Sequence, residues 1–404
     1  MDLLGKIEPF DRVIIPIEPM DRFARKLAKE LNQPWKPEGL IAHFLHEDDD
    51  YDPKLLLEGK DGFFDEKMNR LKGKFVYLVA SHKMWEPSQL LERICHTADV
   101  CHANGAKEVN LVWTNIRLSG NHLRPGSGIK FTEKDLNKYD GKSLSTLRLA
   151  KRFKFENISK VLTLHTHSKN LVEAFGEVYF GDITKGSKVL IDLPTAPIIA
   201  HYLYTFGKIR NKGERSVFVS TDDGSKELAT DIITNLVNLN PELKDISWVR
   251  FKKERDPVTG YLKNICVAES SPNYDGHENK DKFIFDDIVR SFASMYGVIE
   301  KMGGENFTMF ATHAHLTGRS QNLLRSERIK EIIFTNTMAN NLEDPYYEHQ
   351  LFGKTTVLKI GKYLANAVIN IMEDGNDADE FYTIKSPSDI HKIGRLYDLR
   401  RPFN

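Results

Sequence analysis

The stretch KFIFDDIVRSFAS, residues 282–294, decides the fold. Its first half is a short apolar run of strand character, Phe283 to Phe285, closed by two carboxylates, Asp286 and Asp287. Its second half carries the small and hydroxyl residues Ser291, Ala293 and Ser294 and opens into a helix-length segment running to Met302. A strand that passes through such a turn into a helix is one step of a parallel α/β sheet, in which ligands collect beyond the carboxyl ends of the strands. The turn can offer backbone N–H groups and hydroxyls to a phosphate, with the helix dipole adding favourable potential. The two carboxylates suit vicinal sugar hydroxyls or a Mg²⁺ ion; an acidic pair at a strand end can also simply cap the next helix.

Outward from this stretch the same rhythm repeats. β-rich runs occur at 75–81 (FVYLVAS), 108–114, 160–166, 216–221, 246–251, 307–313 and 331–337. Segments at 88–104, 143–156, 225–239, 292–303 and 319–328 carry apolar residues near helical spacing, as in Leu90, Leu91, Ile94 and Ala98. Alternation of this kind predicts an α/β chain of mainly parallel sheets flanked by helices. The Gly- and Pro-punctuated stretch 176–197 separates two groups of strands, which places a boundary near 185: one domain over 1–185, a second over 186–373, and a charged tail over 374–404. Two polar segments, 117–142 and 256–282, read as long loops of the functional kind.

Composition narrows the class of function. Lys and Arg number 57 and Asp and Glu 57, so no net positive charge drives bulk binding to nucleic acid. The longest apolar stretches, such as Phe75 to Ala80, fall far short of the roughly 18 residues of a membrane span. The N-terminal MDLLGKIEPFDR has acids where a secretory signal has a basic start and apolar core, so the expected location is the cytoplasm, with no membrane and no nucleic-acid partner. Cys95, Cys101 and Cys266 lack the pairing of a zinc knuckle or redox motif and read as three buried thiols.

Further polar residues fall at strand ends. Lys253 and Arg255, in KKER, share a face of an extended segment and can converge on a migrating polyphosphate; alone they read equally as solvated edge charges. His165 and His167 flank Thr166 and would share a face in the same way, yet two histidines do not make a zinc site. Asp222 and Asp223 precede Gly224 and a helix, and can bind Mg²⁺ through a phosphate or sugar oxygen or cap the helix.

Taken in order, these motifs resemble the ribose-phosphate pyrophosphokinases, also called phosphoribosyl pyrophosphate synthetases, over roughly residues 13–373. LTLHTHSKNLVEAFG resembles the family's metal-site segment, with His167 at the histidine position; IDLPTAP (191–197) resembles the opening of the second domain. STDDGSK places Asp222 at the family aspartate, FKKER places Lys253 and Arg255 in the basic catalytic segment, and DDIVRSFAS falls on the phosphoribosyl-binding loop. ATHAHL (311–316) and TNTM (335–338) resemble the two strand ends that follow, and FFDEKMN (63–69) resembles the adenine-contacting hairpin through Phe63 and Asp65.

The resemblance implies two phosphoribosyltransferase-like domains and Mg²⁺-dependent transfer of diphosphate from ATP to the anomeric hydroxyl of ribose 5-phosphate, with release of AMP. It assigns Lys253 and Arg255 to catalysis, and Phe63, Asp65 and His167 to ATP. Asp222, Asp286, Asp287, Arg290, Ser291, Ala293 and Ser294 go to the ribose phosphate, His167 and Asp222 to the metal, and a homo-oligomer is implied.

Three departures stand out. LSGNHLR replaces the usual Arg-Gln-Asp motif of the mobile loop, leaving Arg117 or Arg124 to serve ATP; His165 stands where the metal-site aspartate is usual; and Arg290 replaces an acid in the phosphoribosyl loop, where Phe292 and Ala293 replace glycines. An added cation suits a more highly charged acceptor, so ADP-ribose, giving ADP-ribose pyrophosphate for NAD synthesis, is the alternative substrate. A catalytically silent regulatory relative is the alternative class.

Overall fold

The computed structural model describes residues 11–17, 20–31, 43–45, 54–56, 71–81, 87–116, 145–166, 169–221, 223–255, 262–289, 293–315, 326–338 and 354–394. The chain divides into two units, Met1–Leu193 with Leu364–Ala378, and Pro194–Tyr363 with Asp379–Asn404.

The first unit holds β1 (Arg12–Pro16), β2 (His43–Leu45), β3 (Lys54–Leu56), β4 (Phe75–Ala80), β5 (Glu108–Trp113), β6 (Ile158–Leu164) and β7 (Leu190–Leu193), with helices α1 (Asp21–Glu30), α2 (Pro87–Ala103), α3 (Ser145–Phe155) and α4 (Lys169–Phe180). β2 and β3 form a small antiparallel pair; the rest make a five-stranded sheet in the order β1-β4-β5-β6-β7, parallel throughout. Parallel neighbours need crossovers, which the intervening helices provide. The strands are accordingly near-continuous apolar runs, buried along their length in β4 and β5 apart from the first residue of each. From α2 the residues Leu90, Ile94, Ala98 and Cys101 complete a stripe at helical spacing against Leu78, Leu111 and Trp113 in the same core.

The second unit holds β8 (Ser216–Ser220), β9 (Ser247–Arg255), β10 (Leu262–Ser270), β11 (Asp281–Val289), β12 (Phe307–Ala314), β13 (Ile329–Thr335) and β14 (Thr355–Leu358), with α5 (Ala196–Thr205), α6 (Asp223–Leu239) and α7 (Ala293–Met302). Its seven-stranded sheet runs β10-β9-β8-β11-β12-β13-β14, and only β10 is antiparallel to its neighbour. All eight residues of β12 are buried, as a central strand covered on both faces requires.

The structure corrects four expectations. The boundary lies after Leu193 rather than near 185, because β7 pairs with β6 and completes the first sheet. Residues 256–282 are not one long loop: Leu262–Ser270 forms the edge strand β10, hairpinned onto β9. The segment from 374 is not a tail, since Leu364–Ala378 belongs to the first unit, and beyond it Asn238 donates to the Ile384 carbonyl at 2.7 Å in the second. Cys95 and Cys101 are buried free thiols, but Cys266, on β10, is half-buried. The expected loop over 117–142 and most of the expected helix over 319–328 lie outside the described residues. Among the described residues, no helix is long and apolar enough to cross a membrane.

Candidate functional site

In the second unit β9, β8, β11, β12, β13 and β14 all run the same way, so their carboxyl ends share one edge. Phe285 of β11 is level with Ser220 of β8, which sets Asp286 beside Thr221. Asp286 is 8% exposed; its Oδ1 accepts the Asp287 N–H at 3.0 Å and its Oδ2 lies 3.5 Å from the Thr221 hydroxyl. Asp287 Oδ1 accepts the Ile288 N–H at 2.7 Å. These bonds to the strand's own amides fix the orientation of the pair at the end of the sheet.

The β8–α6 turn is tied at its base. Ser225 Oγ accepts the Thr221 N–H at 2.8 Å, and the Ser220 hydroxyl donates to the Ser225 carbonyl at 3.1 Å. Asp222 occupies this turn in the sequence and itself lies outside the described residues, as do Phe63, Asp65, Arg117, Arg124, His167, Arg290 and Ser291. Of Lys253, Arg255, Ala293 and Ser294 the backbone alone is described: the first two in β9, the others opening α7.

β9 outruns its neighbour. Arg250 is level with Ser220, and the strand continues to Arg255 supported only by β10, with Lys253 opposite Ile265 and Arg255 opposite Leu262. At about 3.3 Å per residue, Lys253 stands roughly 10 Å beyond the level at which β8 ends. The base of this hairpin is fastened by Glu269 of β10, which receives Lys226 at 2.8 Å and Arg250 at 3.4 Å; Lys226 chiefly, and Arg250 with it, hold its carboxyl below the usual range. A two-stranded arm carrying a lysine and an arginine therefore leaves the edge with one strand, β8, between it and the strand of the acidic pair.

On the other side of the acidic pair, at the ends of β12 and β13, is a buried hydroxyl and imidazole network. The Thr335 and Thr337 hydroxyls lie 2.6 and 3.1 Å from the Thr312 carbonyl, and His313 Nδ1 lies 2.9 Å from Thr337 Oγ1. The Thr337 hydroxyl thus joins the His313 imidazole to the Thr312 carbonyl of its own strand. The motif resemblance pointed to these two strand ends; their mutual bonding had no signal in the sequence.

The corresponding edge of the first unit holds His165, Thr166 and Asp192. His165 has φ 51°, in the left-handed region, so the chain is not extended there and the expectation that His165 and His167 share a face by alternation does not hold. Thr166 donates its N–H to both oxygens of Asp192, at 3.0 and 3.1 Å. Asp192 escaped the sequence reading. Among the described residues no group of three or more His, Cys, Asp or Glu gathers as a metal cage. The donors that do meet in the second unit, Asp286 and Thr221, are hard oxygens, the chemistry that Mg²⁺ selects.

Two open α/β units, each with its polar residues at the carboxyl edge of a parallel sheet, define a protein of the phosphoribosyltransferase-like architecture. Sequence and structure comparisons agree with that class. No protein-family model matches the chain. The ribose-phosphate pyrophosphokinase of Bifidobacterium longum (strain NCC 2705) is 30% identical over 107 residues, covering 26% of this chain and 30% of that protein. The enzyme of the same name from Streptomyces coelicolor is 30% identical over 98 residues, 23% of this chain and 28% of that one. The matches thus span less than a third of either relative's length. The crystal structure of phosphoribosylpyrophosphate synthetase from Mycobacterium smegmatis superposes with a TM-score of 0.63 at 18% identity, over 90% of this chain and all of that one. Fold and partial sequence likeness point the same way: the chain is similar in sequence, over about a quarter of its length, to ribose-phosphate pyrophosphokinases, and in fold to a phosphoribosylpyrophosphate synthetase.

Proposed function

We propose that the protein is a Mg²⁺-dependent diphosphotransferase that moves the β,γ-diphosphoryl group of ATP onto the anomeric hydroxyl of ribose 5-phosphate. The hydroxyl oxygen bonds to the β-phosphorus, the bond from that phosphorus to the α-phosphate oxygen breaks, and AMP leaves. The observation that carries this reading is the placement of Asp286–Asp287 and the Lys253–Arg255 arm on one carboxyl edge, with β8 between their strands.

A migrating diphosphoryl group asks little covalent help of a protein, so catalysis rests on positioning and charge. Lys253 and Arg255 stabilise the travelling group, and Asp286 and Asp287 grip the ribose hydroxyls. The turn Arg290, Ser291, Ala293 and Ser294 receives the 5-phosphate at the N-terminus of α7. The first unit binds ATP, through Phe63 and Asp65 at the adenine, Arg117 or Arg124 along the phosphates, and His167. Mg²⁺, held by His167 and Asp222, supplies charge neutralisation along the polyphosphate when bound. The protein acts as a homo-oligomer in the cytoplasm.

Arg290, in place of the family's acid, favours a second reading in which the acceptor is ADP-ribose and the product ADP-ribose pyrophosphate. The test is to follow AMP release from Mg-ATP with each acceptor, with and without excess chelator. Release with ribose 5-phosphate that chelator abolishes is the expected result. Silence with both acceptors would transfer the protein to the regulatory class.

A further inference from the structure

We infer that Asp192 is a positioning residue for nucleotide, acting through the turn it holds at the end of β6. The inference rests on the proposal that the first unit binds ATP. β6 ends at Leu164, and the next residue, His165, turns into the left-handed region, where residues with a side chain are seldom found. Most of the other described non-glycine residues with positive φ are asparagines, whose short side chain tolerates that conformation; histidine needs outside support more.

The support comes from β7. The His165 N–H donates to the Leu193 carbonyl at 3.1 Å, prolonging the β6–β7 ladder by one bond. The Thr166 N–H is then shared between Asp192 Oδ1 at 3.0 Å and Oδ2 at 3.1 Å, and the Thr166 hydroxyl donates to Oδ2 at 2.5 Å. Both oxygens of one carboxylate thus hold a single residue, by its backbone and its side chain together. Only an ionised carboxylate offers acceptors to all three bonds, since an amide in its place would turn an NH₂ toward a donor.

The chain leaves this clamp directly into His167 and then α4. Asp192 therefore fixes the backbone at Thr166, at the carboxyl end of the first sheet where ligands of open α/β folds collect, and acts through that turn. For a polyphosphate approaching the carboxyl edge of the first unit, the ordering of residues 165 and 166 is met by the carboxylate before binding.

The test uses the full-length protein and a substrate analogue with a methylene bridge between the α- and β-phosphorus atoms, which binds and does not transfer. Calorimetry without and with Mg²⁺ is expected to show roughly 10- to 100-fold weaker analogue binding in Asp192→Asn, the size of a lost charge-assisted bond. Ribose 5-phosphate binding should stay as in wild type. Thr166→Ser, which keeps the hydroxyl, should bind like wild type, whereas Thr166→Val should follow Asp192→Asn. Amide exchange at 165–170 should quicken in Asp192→Asn in the absence of any ligand. Unchanged analogue affinity in Asp192→Asn, or unchanged exchange, overturns the inference. Wild-type protein that binds no analogue, together with quickened exchange in the variant, overturns instead the assignment of ATP to this unit and leaves the clamp standing.

Discussion

Arg12 and Glu373, far apart in the chain, meet in the first unit as a two-point ion pair: Nε to Oε1 at 2.6 Å and Nη2 to Oε2 at 2.5 Å, with the side chains 6% and 5% exposed. The Tyr77 hydroxyl donates to the same Oε1 at 2.8 Å. Arg12 opens β1, the edge strand, and Glu373 ends the π-helical turn Val368–Glu373, so one carboxylate fastens the late segment to the first sheet. Removing one partner of a buried pair leaves the other desolvated, which costs about 3–5 kcal/mol. Glu373→Ala should therefore lower the unfolding free energy of the first unit by that amount, read from denaturant titration. A loss below about 1 kcal/mol, the range of exposed pairs, would mean the pair is solvated in solution.

The arm of β9 and β10 yields a kinetic prediction. Lys253→Ala and Arg255→Ala should each reduce turnover roughly 100- to 1,000-fold, equivalent to about 2.7–4 kcal/mol of transition-state stabilisation. The far-ultraviolet circular dichroism should not change, because the hairpin is held by its backbone ladder and by Glu269 at its base. Near-normal rates in both variants would make these residues solvated edge charges.

Arg290 decides between acceptors. If ADP-ribose is the substrate, Arg290→Asp should depress kcat/KM for it far more than for ribose 5-phosphate, because a guanidinium gains with every phosphate in reach. If ribose 5-phosphate is the substrate, the acid should be tolerated or should help. The ratio of the two efficiencies in wild type and variant reports differential transition-state binding, and an unchanged ratio would detach Arg290 from the acceptor altogether.

Acid should weaken the second unit through His201. This imidazole, 5% exposed on α5, has a buried Nδ1 with no hydrogen-bond partner, and burial pushes its pKa down to about 4. The folded value lies below the unfolded one of about 6.5. The unfolded chain therefore takes up the proton first, and stability present above pH 6.5 is lost as pH falls toward 4, by up to about 1.4 kcal/mol per pH unit. Unfolding free energies measured between pH 7 and 4 should show this slope in wild type and a shallower one in His201→Phe. Equal slopes would assign the acid sensitivity elsewhere.

The central strands were legible because a buried parallel strand can be little else than a short apolar run with a turn behind it; FVYLVA, KFIFDD and FTMFATH all read that way and all fold that way. β10 was not, since an edge strand has one side open to water and NICVAES mixes polar with apolar residues; Val267 remains 52% exposed in the folded unit. β7 hid for another reason. Four residues carry too little pattern to show whether they close one sheet or open the next. The acidic pair could be found because it sits where strand character stops, whereas Asp192 lies inside a strand and owes its interest to Thr166, met only through the β6–β7 pairing. The left-handed turn at His165 has no mark in the sequence.

The division of the chain also has a bearing on its synthesis. The first unit is interrupted after Leu193 and is completed only by Leu364–Ala378. A ribosome adding roughly 5–20 residues per second needs about 10–40 s to travel from one piece to the other. Throughout that interval the nascent first sheet lacks the carboxylate that closes over Arg12, and the whole of the second unit's sheet is made in the meantime. The first unit cannot be finished before the second unit's sheet has been made, and the second needs Asp379–Asn404 after that, so a product stalled between the two pieces of the first unit releases two incomplete units rather than one good one.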